Sequence, residues 1–129
     1  MLKHPISLGD SRMNGFVPSK NPEKARQFYE GILGFALASD NEYVATYRAG
    51  STTIMLQKMG ADFAPLPRTI LGWEVSGIRN VVMDLTERGV TFERVAWVEQ
   101  DDLGIWNSSD GQVAWFKDPD GNMLSVSEH

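Results

Sequence analysis

Two segments with helix-type punctuation lie 55 residues apart, and a duplication of this kind constrains the fold more than any single motif. Asn21-Pro22 supplies an N-cap and a first-turn proline, after which Ala25, Phe28, Tyr29, Ile32 and Leu33 recur at helical spacing until Gly34. Ser76 opens a second segment in the same way, with Ile78, Val81, Val82 and Leu85 as its apolar face and Gly89 at its end. The interval from Asn21 to Ser76 equals that from Gly34 to Gly89. The chain is therefore read as two copies of one unit.

Runs rich in β-branched and aromatic residues flank both helices. In the first unit they predict strands at Met13 to Pro18, Ala36 to Ser39, Tyr43 to Arg48 and Thr52 to Lys58. In the second they predict Thr69 to Val75, Thr91 to Val95, a strand ending near Lys117, and Met123 to Ser127. Each unit then reads βαβββ, an α+β class. The boundaries are a tail over 1–11, a first unit over 12–59, a Pro-containing linker over 60–67 and a second unit over 68–129, together one domain. The last two strands are joined by Asp118-Pro119-Asp120-Gly121-Asn122, a hairpin turn in which Gly121 takes the positive φ.

Composition excludes several function classes. A net charge of -5 and a pI near 4.9 give no basic face for nucleic acid. No run of about eighteen apolar residues predicts a membrane span, and no start resembling a signal peptide is present, so the expected location is cytoplasmic. The absence of cysteine removes disulfides, thiolate metal sites and cysteine nucleophiles together. The only histidines, His4 and His129, stand in the tails, which disfavours a Ser-His-Asp triad, and neither phosphate-binding nor dinucleotide-binding glycine motifs occur.

The closing run VAWFKDPDGNMLSVSEH and the helical NPEKARQFYEGILGF resemble the vicinal oxygen chelate superfamily of glyoxalase I, bleomycin-resistance proteins, fosfomycin-resistance proteins and extradiol dioxygenases. The resemblance spans roughly Met13 to Ser127 and implies two βαβββ repeats forming a curved mixed sheet with a concave cleft. It also implies a divalent metal held by His and Glu from four strands. The corresponding positions here are Asn14, Ile70, Ser125 and either Met55 or Gln57, none of them a good metal donor. No metal and no cofactor are expected.

If those positions face the cleft, period-two alternation puts Asn14, Phe16, Met55, Gln57, Ile70, Gly72, Glu74, Met123, Ser125 and Ser127 on the concave side. Met13, Val17, Ile54, Leu56, Leu71, Trp73, Val75, Leu124 and Val126 fall on the core side. Carrying the 55-residue interval forward from Asn14 lands on Thr69 instead of Ile70, a slip that swaps the faces of that strand. Ile70 is preferred because the other register buries Glu74 without a partner. On an apolar wall Glu74 is the candidate catalytic carboxylate, a general base with a raised pKa or a partner for a cationic ligand. The alternative is an exposed, hydrogen-bonded strand glutamate. Glu93 is a second, weaker carboxylate.

The second unit is about fifteen residues longer than the first, and the excess falls in Trp97 to Gln112. Its tryptophans and carboxylates suggest a functional loop, with Gln100, Asp101, Asp102 and Trp106 as a lid or rim; the bland alternative is a hairpin extension covering a sheet edge. The expected ligand-binding set is Asn14, Phe16, Met55, Gln57, Glu74, Glu93, Trp106 and Ser125. The function expected is metal-independent binding of a small molecule by a homodimer, in the manner of bleomycin-resistance proteins. The rival is a lyase, isomerase or dioxygenase with a nonstandard metal site or a carboxylate base.

Overall fold

The computed structural model describes residues 7–60 and 63–129. The tail reading over 1–6 and linker positions 61 and 62 lie outside the described residues. The first unit comprises β1 (Asn14–Ser19), α1 (Pro22–Arg26), β2 (Ala36–Asp40), β3 (Val44–Ala49) and β4 (Thr52–Lys58). Asn21 caps α1 by accepting from the Lys24 amide, and α1 runs directly into wider π-helical turns over Gln27–Ile32. Gly34, with φ of 77°, ends this helical stretch as expected. The second unit comprises β5 (Thr69–Glu74), α2 (Ile78–Glu87), β6 (Trp106–Ser108), β7 (Gly111–Lys117) and β8 (Met123–Glu128).

Each unit closes a four-stranded mixed sheet, ordered β1-β4-β3-β2 in one and β5-β8-β7-β6 in the other. In both, the strand before the helix lies parallel to the last strand of its unit, and the remaining pairs are antiparallel. The topological repeat inferred from the helix interval is thus present in both sheets. One face of each sheet is buried. Val17, Ala45, Tyr47, Ile54 and Leu56 of the first, and Ala114, Phe116, Leu124 and Val126 of the second, join Ala25, Phe28, Tyr29, Ile78, Val82 and Leu85 in one apolar core. Met13 departs from the expected core set: it precedes β1 and is 76% exposed.

Aromatic rings carry the core across the boundary between units. Phe35 packs on Tyr29, Tyr47 and Trp73, while Phe116 packs on Phe28, Trp73 and Phe92. A polar latch reinforces that join at the Asp118–Asn122 turn. Asp118 and Asp120 are each only 5% exposed. Asp118 Oδ1 accepts from the amides of Asp120 and Asn122, and its Oδ2 accepts from Tyr29 Oη at 2.7 Å and from Asn122 Nδ2. Asn122 Nδ2 also donates to the Pro18 carbonyl, and Asp120 Oδ1 accepts from the Lys20 and Asn21 amides. Burial pushes the Asp118 carboxyl above its ordinary range, against the hydrogen bonds from Asn122 and Tyr29 that favour its charged form.

Two expectations for the second unit are corrected. Ser76 does not cap α2: Gly77 is the N-cap, in the left-handed region at φ 72°. The capping acceptor comes from the far end of the unit, where the Glu128 carboxylate accepts from the Gly77 and Ile78 amides at 2.9 Å. Those hydrogen bonds hold Glu128 below the usual carboxylate range. Thr91 to Val95 is not a strand, since Phe92 makes only an isolated bridge to Phe116. The second strand of the unit is instead β6, inside the segment read as an insertion. The Glu93 amide still donates to the Trp115 carbonyl of β7, but a side chain competes for the neighbouring backbone groups: Gln100 Oε1 accepts from the Val95 amide while its Nε2 donates to the carbonyls of Glu93 and Gly104.

Removing the hydroxyl that meets the buried Asp118 tests the latch. Tyr29→Phe is expected to lower unfolding stability in urea by about 1–3 kcal/mol, the cost of leaving a buried acceptor short of a partner. An unchanged denaturation midpoint would show that the latch contributes nothing.

Candidate functional site

The face of the second sheet turned away from the helices is built by the register of β5, β8, β7 and β6. Gly72 pairs with Ser125, Ser125 with Trp115, Val113 with Ser127, and Trp106 with Val113. Alternation therefore puts Gly72, Ser125, Trp115, Val113 and Trp106 on this open face, opposite buried Ala114, Phe116, Leu124 and Val126. A Cβ on Gly72 would stand 2.7 Å from Ser125 Oγ, so glycine there leaves room for this hydroxyl in its present rotamer. Trp106 stacks on Trp115 with ring centroids 6.1 Å apart and planes 19° apart.

A bulge settles the choice between Thr69 and Ile70. Thr69 pairs with Met123 and Leu71 with Leu124, leaving Ile70 as the extra residue. Thr69 takes the place beside Met123 on the open face, and Ile70, expected there, packs against the core instead. Past the bulge, Gly72 and Glu74 hold the expected face. Both sequence readings were thus partly right, because one inserted residue reconciles them.

A cleft of about 380 Å³ opens on this face. Thr69 and Met123 at the strand starts and Trp115 at its side are joined by Pro67 and Arg68 from the linker end and by Val95 and Trp97 from the loop. Trp97 and Trp106 also border a neighbouring depression with Glu99, Gln100 and Asp101. The intervening loop is fixed by its own side chains. Gln100 spans Glu93, Val95 and Gly104; Arg94 donates to the carbonyls of Asp101 and Asp102; Asp101 Oδ1 accepts from the Leu103 and Ile105 amides. Gln100 and Asp101 accordingly act as internal struts rather than as a mobile lid, and Asp102 enters through its carbonyl.

The sequence-derived residues divide into separate groups. Asn14, Phe16, Met55 and Gln57 share the open face of the first sheet, where Phe16 pairs with Met55 and Asn14 with Thr53. They do not line the cleft of the second sheet. Ser125 and Trp106 lie on the second sheet's open face. Glu93 borders a different depression with Thr91, Lys117 and Pro119, and faces Lys117 Nζ at 3.5 Å. Glu74 is an exposed carboxylate bound by His129, whose amide donates to Oε2 at 2.9 Å and whose Nδ1 lies 2.6 Å from Oε1. That partner holds Glu74 below the usual carboxylate range, the reverse of the shift expected of a general base. Trp115, Arg68 and Thr69 were not in the expected set. Trp115 was legible, since VAWFK alternates Val113 and Trp115 against Ala114 and Phe116.

The donor set does not fit a divalent metal. Asn14, Met55, Gln57, Ser125 and Thr69 offer amide, thioether and hydroxyl groups in place of imidazole and carboxylate, and no three His, Cys, Asp or Glu side chains cluster among the described residues.

Residues 13–126 match the Glyoxalase/Bleomycin resistance protein/Dioxygenase superfamily, and the chain belongs to it. Solved structures share the fold. A glyoxalase family protein from Bacillus anthracis is 18% identical, with 99% of each chain covered and a TM-score of 0.73. An antibiotic-binding protein from Streptomyces sp. CB03234 is 22% identical, covering 92% of this chain and 95% of that one, with a TM-score of 0.68. A lactoylglutathione lyase from Agrobacterium tumefaciens is 12% identical, covering 92% and 93%, with a TM-score of 0.71. No curated protein matches the sequence. Among the described residues no helix is long and apolar enough to cross a membrane.

The struts of the loop give a direct test. Gln100→Ala removes three hydrogen bonds to backbone groups. Amide hydrogen exchange across 93–105 is expected to accelerate at least about tenfold while the β7 and β8 amides keep their protection. Unchanged exchange would mean that the loop is held by its apolar contacts alone.

Proposed function

We propose that this chain is a metal-independent small-molecule-binding protein of the glyoxalase/bleomycin-resistance type, whose ligand seats in the cleft bordered by Trp97, Trp115, Thr69 and Met123. The observation that carries the reading is the donor chemistry at Asn14, Thr69, Met55, Gln57 and Ser125, where the family's metal chemistry would need imidazole and carboxylate. The cleft supports it from the other side: its size and apolar, aromatic lining suit an organic molecule, with a few polar groups to orient it. The fold is shared with an antibiotic-binding protein and with a lyase, so the site must discriminate between binding and catalysis. A carboxylate base has no support at Glu74, which is exposed and held ionised by His129.

A homodimer in the cytoplasm belongs to the same reading. Exposed Met13, just before β1, and Phe16, on the open face of the first sheet, supply apolar surface for a second copy. Nucleic acid and membrane are not proposed as partners of this acidic chain.

Thermal-shift screening of a small-molecule panel, with and without a chelator, tests the binding reading. Ligands are expected to raise Tm equally in both conditions, and Trp97→Ala is expected to weaken their binding by about 1–3 kcal/mol without lowering the Tm of the free protein. Stoichiometric metal in the purified protein, with ligand stabilisation lost on chelation, would overturn it and favour the enzyme.

A further inference from the structure

Among the described residues that line it, the cleft combines flat aromatic walls with one formally charged side chain. Trp97 and Trp115 border it, and Trp106 stacks behind Trp115. The charge is the Arg68 guanidinium. Its Nη1 donates to the Pro67 carbonyl at 2.8 Å, and it forms no ion pair among the described residues. Among the described residues Arg26, Arg79 and Arg88 face carboxylates, while Arg12, Arg48 and Arg94, like Arg68, form no ion pair. Arg68 thus shares the cleft margin with two indoles and, among the described residues, has no carboxylate partner, in a chain with 17 acidic and 12 basic side chains. Glu99 and Asp101 of the loop border the adjoining depression rather than the cleft. Asp101 is already engaged, by the Leu103 and Ile105 amides and by Arg79 at 3.8 Å.

Resting on the reading that this cleft is the binding site, we propose that it selects planar aromatic molecules bearing one anionic group, such as aromatic carboxylates, sulfonates or phenolates. The indoles accept a flat π-system at little conformational cost, because each has few rotatable bonds. Arg68 presents several N–H donors in a rigid fork, which matches the paired oxygens of a carboxylate or sulfonate. The Thr69 hydroxyl, beside it on the cleft margin, adds a neutral polar contact. Ring recognition and charge recognition thus come from neighbouring residues, so a ligand must carry both features close together. This assigns the cleft a charge preference opposite to the protein's overall charge. It also opposes the cationic ligand that a carboxylate at Glu74 would suggest.

Calorimetric titration at constant ionic strength with three probes separates the contributions. Naphthalene-2-sulfonate is planar and anionic, naphthalene-2-sulfonamide planar and neutral, and cyclohexanesulfonate anionic without a π-system. The sulfonate is expected to bind at least about tenfold more tightly than the sulfonamide, with cyclohexanesulfonate weaker than both. Arg68→Gln, at an exposed side chain, is expected to bring the sulfonate down to the affinity of the sulfonamide and to leave the sulfonamide unchanged. Trp97→Ala is expected to weaken both naphthalenes. Equal binding of the two naphthalenes, a ratio unaffected by Arg68→Gln, or no binding of either would overturn the anion preference. Should neutral or cationic compounds bind instead, with affinity that Trp97→Ala reduces, the cleft remains the site and only its selectivity falls.

Discussion

The buried carboxylate of Asp118 is the constraint on which the arrangement of the two halves depends. Its oxygens accept from Tyr29, Asn122 and the amides of Asp120 and Asn122, so one side chain closes the turn and grips the helix of the other unit. Asp120 does the same at the entry to α1, through the amides of Lys20 and Asn21. A buried carboxylate is costly unless its acceptor capacity is filled. Filling it requires groups from both units, which specifies how the units meet. Asp120 Oδ2 remains buried without a protein partner, a residual cost inside the same latch.

The latch also positions the cleft. Met123 follows Asn122 directly, and Trp115 precedes Asp118 by three residues on the paired strand. Fixing the turn therefore fixes the start of β8 and the end of β7, which place the thioether and the indole on the cleft margin. On the other side, Gln100 and Arg94 immobilise the loop that carries Trp97. A site built from strand ends and a self-bonded loop meets its ligand largely preformed, which limits the entropy lost on binding.

Much of the fold was legible because its determinants are local. The Asn21 cap, the terminating glycines, the Asp118–Asn122 turn and the alternation in β4, β7 and β8 follow from short-range rules that the tertiary structure did not override. The departures come from long-range competition. Glu128 captures the start of α2 from fifty residues away, displacing Ser76 as the cap. Gln100 takes the Val95 amide and the Glu93 carbonyl, two of the backbone groups that Thr91 to Val95 would have offered to a sheet. The bulge at Ile70 could not be read from spacing, since one added residue changes the face of everything before it.

The candidate site was less legible for the same reason. Family-like positions led to the strand centres, Asn14, Met55 and Ser125, whereas the cleft draws on strand starts and the linker. Trp115, missed in the sequence, carried a signal in the alternation of VAWFK; Arg68 carried none, because nothing local distinguishes it from an ordinary surface arginine. The four tryptophans supply an internal control for the central claim, that the ligand occupies the open face of the second sheet without a metal. Trp97, Trp106 and Trp115 surround that face, and Trp73 lies in the ring cluster with Phe35 and Phe116. The most direct measurement is the indole N–H spectrum of the protein titrated with a screened ligand in the presence of a chelator. The expected result is movement of the Trp97 and Trp115 resonances with Trp73 stationary; stationary Trp97 and Trp115, with shifts confined to the amides of Phe16 and Met55, would contradict it.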